Sequence, residues 1–183
     1  MTKHNTKKLI LNSLHRRASI AIAIGTLSLV AKPIGALAQV DYFAQVSGVS
    51  GESVDSHHPG WIDVSSIIGG VTAAQTPTLS FSAKASAASP YLLLGAASGQ
   101  HFSTATVSVR RGLTSNPDYL KYVMTDVVLV SDGFAGSGGS AAVEQYQMSY
   151  STLQIEYRAQ RPDGSWGPPI ITCWDFVNGV SCS

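Results

Sequence analysis

Charge is scarce in this chain of 183 residues: Asp, Glu, Lys and Arg make up 13% of it, against 44% apolar residues. Its distribution is uneven as well. The segment from Met1 to Ala38 holds six of the twelve Lys and Arg and none of the eleven acids, so the remainder carries six bases against eleven acids. So few and scattered cations cannot neutralise a run of phosphates, which argues against a nucleic-acid partner. Cysteine is nearly absent, and Cys173 and Cys182 have no second pair or neighbouring His with which to complete a four-ligand zinc site. No uncharged apolar run is as long as a spanning helix requires, about 17 to 25 residues, so no stable membrane anchor is expected. Internal repeats are missing, and Gly and Pro are too few and too irregularly placed for a collagen-like chain. What remains is a composition that buries one sizeable core and is too short for two ordinary domains.

The N-terminal bias has a recognisable layout. A basic stretch from Lys3 to Arg17 precedes the apolar run Ala18 to Ala31, and Ala36-Leu37-Ala38 supplies small residues at the spacing of a cleavage site. This predicts a signal peptide over residues 1–38, a mature domain over 39–183, and a secreted or periplasmic product. Arg16-Arg17 raises twin-arginine export, but the residues around the pair do not supply the usual flanks, so the Sec route is the expectation. If the true start lies further downstream, the product would instead be cytosolic. In an oxidising compartment Cys173 and Cys182 can persist as a disulfide closing a ten-residue loop.

The mature chain reads as mostly β. Asp41 to Val49, Trp61 to Ile68 and Leu79 to Ser82 have strand character, with Gly69-Gly70 breaking the second and Val71 to Pro77 forming an extended loop. Ser89-Pro90 followed by Tyr91-Leu92-Leu93-Leu94 and closed by Gly99 predicts one helix, with the Ser89 hydroxyl as N-cap. Ala105, Val107 and Val109 alternate with Thr106, Ser108 and Arg110, the pattern of a half-buried strand. Asn116-Pro117-Asp118 makes a turn, and Tyr119 to Ser131 and Val143 to Tyr157 read as two long runs of a hairpin whose tip is Gly136-Ser137-Gly138-Gly139. After a turn at Pro162-Asp163-Gly164, a last strand covers Ile170 to Val177. Open strand edges favour pairing between copies, so a homo-oligomer is expected on physical grounds.

Chemistry is thinly supported. Glu52, Ser53, Asp55, His57 and His58, with distant His101, form the single tempting cluster. Adjacent His57 and His58 point to opposite sides of an extended segment, and Gly51-Glu52-Ser53 lacks the Gly-x-Ser-x-Gly elbow. The favoured reading is that these residues pin a loop; no catalytic, metal or cofactor residue is assigned. His101 after the helix exit is expected to satisfy orphan carbonyls there. Trp61, Trp166 and Trp174 could stack a ligand or fill a core or interface.

The ordered set Tyr42-Phe43, Gly48, Gly51-Glu52-Ser53 and Trp61-Ile62-Asp63-Val64, then Ser89-Pro90-Tyr91-Leu92 and Ser98-Gly99-Gln100-His101-Phe102, resembles the Hcp family, the tube-forming proteins of type VI secretion. The likeness runs on through Arg110, Tyr119-Leu120, Asp126-Val127, Glu144, Ile155-Glu156-Tyr157 and Asp163-Gly164, and so covers about residues 40 to 165. The resemblance implies a small β-barrel of two sheets with one α-helix, a hexameric ring that stacks into a tube, and room for effector-protein cargo. It places a contact loop over Gly69, Gly70, Val71, Ala74 and Pro77, the candidate ring interface. The leader departs from the family pattern, since tube subunits assemble in the cytoplasm. The alternative is therefore a secreted or periplasmic Hcp-like binding module that builds no tube.

Overall fold

The structure is a computed structural model that describes residues 39–73, 76–112 and 116–182. The expected signal peptide over residues 1–38 and the interface candidate Ala74 lie outside the described residues. Among the described residues nine strands and one helix follow in chain order: β1 (Val40–Val46), β2 (Ile62–Gly70), β3 (Thr78–Lys84), α1 (Ser89–Ser98), β4 (His101–Arg111), β5 (Asp118–Ala135), β6 (Val143–Ser149), β7 (Thr152–Gln160), β8 (Trp166–Asp175) and β9 (Val180–Ser181). Hydrogen bonding runs β4-β1-β2-β3-β6-β5, and β5 returns to β4, closing a six-stranded barrel. Closure removes the edges that an open sheet would expose. From β5 a wing continues outward as β7, β8 and β9.

Barrel and wing are joined by β5. Its far half pairs with β6 from Val128↔Ser149 to Ala135↔Val143, and its near half pairs with β7 from Leu120↔Tyr157 to Thr125↔Thr152. Residues 143–157 thus run along β5 as one antiparallel partner, interrupted at Tyr150-Ser151. Opposite that interruption Asp126 has φ +51°, the one described non-glycine residue in the left-handed region. The single run expected from Val143 to Tyr157 is therefore split there, one part closing the barrel and the other carrying the wing. β2 also differs from expectation, because Gly69 and Gly70 stay paired with Leu79 and Thr78; glycine weakens a strand without forbidding it where the partner strand continues.

Inward-facing Phe81, Val107, Met124 and Met148 form the core with Leu92 of α1. The helix sits unusually close to the barrel because position 95 has no side chain. A Cβ on Gly95 would lie 2.6 Å from the Phe102 ring. The Ser89 expectation is corrected. The N-cap is Ala88, without a side-chain bond, and Ser89 Oγ instead donates to Glu144 Oε2 at 2.5 Å. A bond to an ionised carboxylate is stronger than one between neutral groups, so the neighbouring strand outbids the helix end for this hydroxyl.

Candidate functional site

Two regions gather the functional candidates: a loop held by buried charge, and an apolar groove beside the wing.

The loop runs from Gly51 to Trp61. Gly51 N–H donates to Gly60 O at 2.7 Å and Ser53 N–H to Trp61 O at 2.9 Å, so the loop closes like a short hairpin. Any side chain on Gly51 would collide with the Trp61 carbonyl. Asp55 is its fulcrum. Oδ1 accepts from the backbone N–H of His57 (2.9 Å) and His58 (3.1 Å), and the two carboxylate oxygens take Arg110 Nη1 at 2.8 Å and Nη2 at 2.5 Å. That bidentate pair holds the Asp55 carboxyl well below the usual carboxylate range, with the backbone and His58 bonds adding to it against the opposing effect of burial. Asp55 in turn raises the Arg110 guanidinium.

His58 is 2% exposed and lies between two acids, with Nδ1 3.0 Å from Asp55 Oδ1 and Nε2 3.0 Å from Asp118 Oδ2. Its ring stacks on Phe43 at 4.2 Å and meets Trp61 edge-on at 4.8 Å, while the Arg110 guanidinium lies 5.1 Å from the Phe43 ring centre. Arg110 itself is 1% exposed. This corrects the half-buried reading of β4: Val107, Ser108, Val109 and Arg110 are all buried, because the outer face of the strand is roofed by the loop. Sequence reasoning missed Arg110 and Asp118 as loop anchors, since their partners are 55 and 60 positions away and no local pattern marks them.

Of the residues weighed for chemistry, the loop brings Ser53, Asp55 and His58 together and leaves Glu52, His57 and His101 outside that group. Ser53 is buried, and its Oγ accepts from Asp55 N–H at 3.4 Å. Glu52 and His57 are exposed, while Ile62 is in the core and Asp63 is exposed on β2. His101 does not cap the helix. Gln100 N–H bonds Gly95 O at 3.0 Å and Ser98 Oγ bonds Leu94 O at 2.7 Å, which leaves the imidazole free to reach Asp126 Oδ1 at 2.7 Å. Ser151 Oγ donates to the other oxygen of Asp126 at 2.7 Å. Both groups lower the Asp126 carboxyl, His101 the more. In a hydrolytic relay the imidazole stands between hydroxyl and acid; here the acid stands between the other two.

His101, Asp126 and Ser151 lie along a groove of about 1160 Å³. Leu153, Ile155, Thr172 and Trp174 line it from β7 and β8, and Val71 and Pro77 from the β2–β3 loop. Gly69, Gly70 and Val71 also line a smaller pocket of about 220 Å³ beneath that loop. Nearby, Cys173 and Cys182 are disulfide-bonded, with Cα atoms 5.1 Å apart, and clamp β9 against β8.

Against known proteins, residues 43–157 match the family described as type VI secretion system effector, Hcp. This chain belongs to the Hcp family. It shares 27% identity over 158 residues with protein hcp1 of Pseudomonas aeruginosa, covering 77% of this chain and 98% of that protein. Among solved structures, Hcp1 of Salmonella typhimurium superposes with a TM-score of 0.72 at 30% identity, covering 78% of this chain and 99% of the other. Hcp2 of the same organism gives 0.65 at 30% identity, covering 76% and 98%. The Hcp likeness identifies the barrel and helix α1 as the family fold and gives the chain a structural role in type VI secretion.

Proposed function

We propose that this Hcp protein is an exported, non-enzymatic subunit that assembles with copies of itself into a hexameric ring able to hold effector-protein cargo. The observation that carries the reading is the combination of the Hcp match over residues 43–157 with apolar side chains that the described residues leave uncovered, among them Tyr91 and Leu94 on α1 and Ile170 and Trp174 on β8. Exposed apolar surface of this kind favours association, and a ring uses a heterologous contact in which two different surfaces of each subunit meet.

Export rests on the basic and apolar layout of residues 1–38 and on Ala36-Leu37-Ala38. The same leader favours a second reading, an exported Hcp-like binding module that builds no tube. Two measurements decide. Mass spectrometry of the native protein should find a chain beginning at Gln39, and an intact Met1 terminus overturns export. Sedimentation, with electron micrographs of the same sample, should show rings; a monomer from micromolar to millimolar concentration leaves the binding module as the reading.

A further inference from the structure

The outer edge of β8 is guarded at both ends. At its start Pro168 and Pro169 have no N–H to offer a neighbouring strand. At its end β9 covers it, pairing Trp174 with Ser181 and Asp175 with Val180, and Cys182 N–H donates to Cys173 O at 3.3 Å. Among the described residues no strand lies beyond β9. Unpaired strand edges invite added strands, and proteins blunt them with prolines or a covering segment.

β9 has little of its own with which to stay in place. It is two residues long and both side chains are exposed. A strand that short, burying nothing, does not offset the entropy of ordering it. The turn before it is built independently. Asp175 Oδ1 accepts the N–H of Val177 and of Asn178, each at 2.9 Å, Oδ2 takes Asn178 Nδ2 at 2.8 Å, and Gly179 has φ +68°. Phe176 is fixed ahead of the turn, with its N–H on Ser151 O at 2.9 Å and its ring edge-on to Tyr150. Beyond Gly179, the covalent tie from Cys182 to Cys173 is what keeps the chain on β8. The same segment shapes the groove, since Cys173, Gly179 and Ser181 line its rim beside Trp174. Both cysteines are half-buried rather than enclosed, and exposed disulfides are the ones that reductants open.

We propose that the Cys173–Cys182 disulfide is a reversible redox latch: oxidised, it holds β9 on β8 and closes the strand edge and the rim of the groove; reduced, it releases residues 180–182 and leaves the barrel folded. A dithiol reductant opens it by two exchanges. One reductant thiolate attacks a cysteine sulfur, the S–S bond breaks, and the displaced cysteine takes up a proton. The second reductant thiolate then closes the reductant's own disulfide and frees the other cysteine as a thiol, so the reductant gives up the two electrons that the pair gains. Release uncovers Trp174 and Asp175 on the β8 edge. The Asp175 turn stays and keeps Cys182 directed back towards Cys173, so a disulfide oxidant relatches the strand by the reverse exchange. The latch depends on neither the ring nor the export put forward above.

Hydrogen exchange of the full chain, read by mass spectrometry before and after treatment with dithiothreitol, tests it. Reduction should speed exchange of the amides of residues 180–182 by about a hundredfold, the factor that corresponds to the chain-entropy effect of a ten-residue loop, while the amides of β1 to β6 keep their oxidised rates. Cys182→Ser should exchange at the reduced rate and no longer respond to dithiothreitol, and glutathione disulfide should return the reduced, unaltered chain to the slow rate. Exchange of residues 180–182 that stays slow on reduction, or in Cys182→Ser, overturns the latch, because β9 then holds by itself. Equal acceleration in the barrel strands overturns it as well, because the disulfide then holds the whole domain rather than its last strand.

Discussion

The loop over β4 and the groove beside the wing answer opposite demands with opposite chemistry. Around Asp55, polar groups are removed from water and given partners inside the same chain, down to a bidentate arginine and a histidine held between two acids. Around Trp174 and on α1, apolar groups are kept in water with no cover from the described chain. A buried charge left unpaired costs far more than an exposed leucine, so the first region has to be completed within one subunit, whereas the second can wait for another. The comparison separates what holds a subunit together from what it offers outward.

The comparison breaks most visibly at Arg110. Arg110→Ala leaves Asp55 buried without its main partner and should lower unfolding stability by about 3–5 kcal/mol, read by denaturant titration; a loss below about 1 kcal/mol would mean that the loop is not anchored by charge. Next comes the clamp on β9. Replacing Cys173 and Cys182 by Ala together should cost about 2–3 kcal/mol, the chain-entropy value for a ten-residue loop, read by the same titration. Acid sharpens the contrast more gently. Because the Asp55 carboxyl titrates lower in the folded chain than in the unfolded one, its contribution is full at neutral pH and is lost as the pH falls below about 4. Stability should therefore drop on acidification in the native protein and drop less in an Asp55→Asn variant, which starts lower. Smallest of all is the effect of Leu94→Glu on the single subunit, within about 0.5 kcal/mol, since Leu94 is already exposed; a larger loss would move α1 from the outward-facing region to the inward-facing one.

Local pattern carried the strands, the helix and the turns, since alternation and Pro-Gly punctuation are read within a few residues. It failed where the deciding partner is remote. Arg110 has the look of the polar side of a half-buried strand, yet the loop from Gly51 to Trp61 roofs it. Ser89 has the composition of a cap, but Glu144 claims its hydroxyl from 55 positions away. His101 stands just beyond a helix that Gly99 already closes with φ +65°, and Asp126 takes it instead. The disulfide was legible because its two ends are nine positions apart. The groove was not, because it is built from separate stretches of chain, none apolar enough to stand out by itself.

The pairing of β1 with β4 also sets an order of events in time. Val40 pairs with Arg111, roughly seventy positions later, whereas β1 touches the nearer β2 at only three register positions. Closing so long a loop is slow relative to forming local structure, so β1 gains the longer of its two ladders only after β4 has been synthesised. The barrel is therefore sealed late and from its leading end. Under the proposed export of this chain, such a delay would leave the strand next to residues 1–38 unpaired while the export address is read.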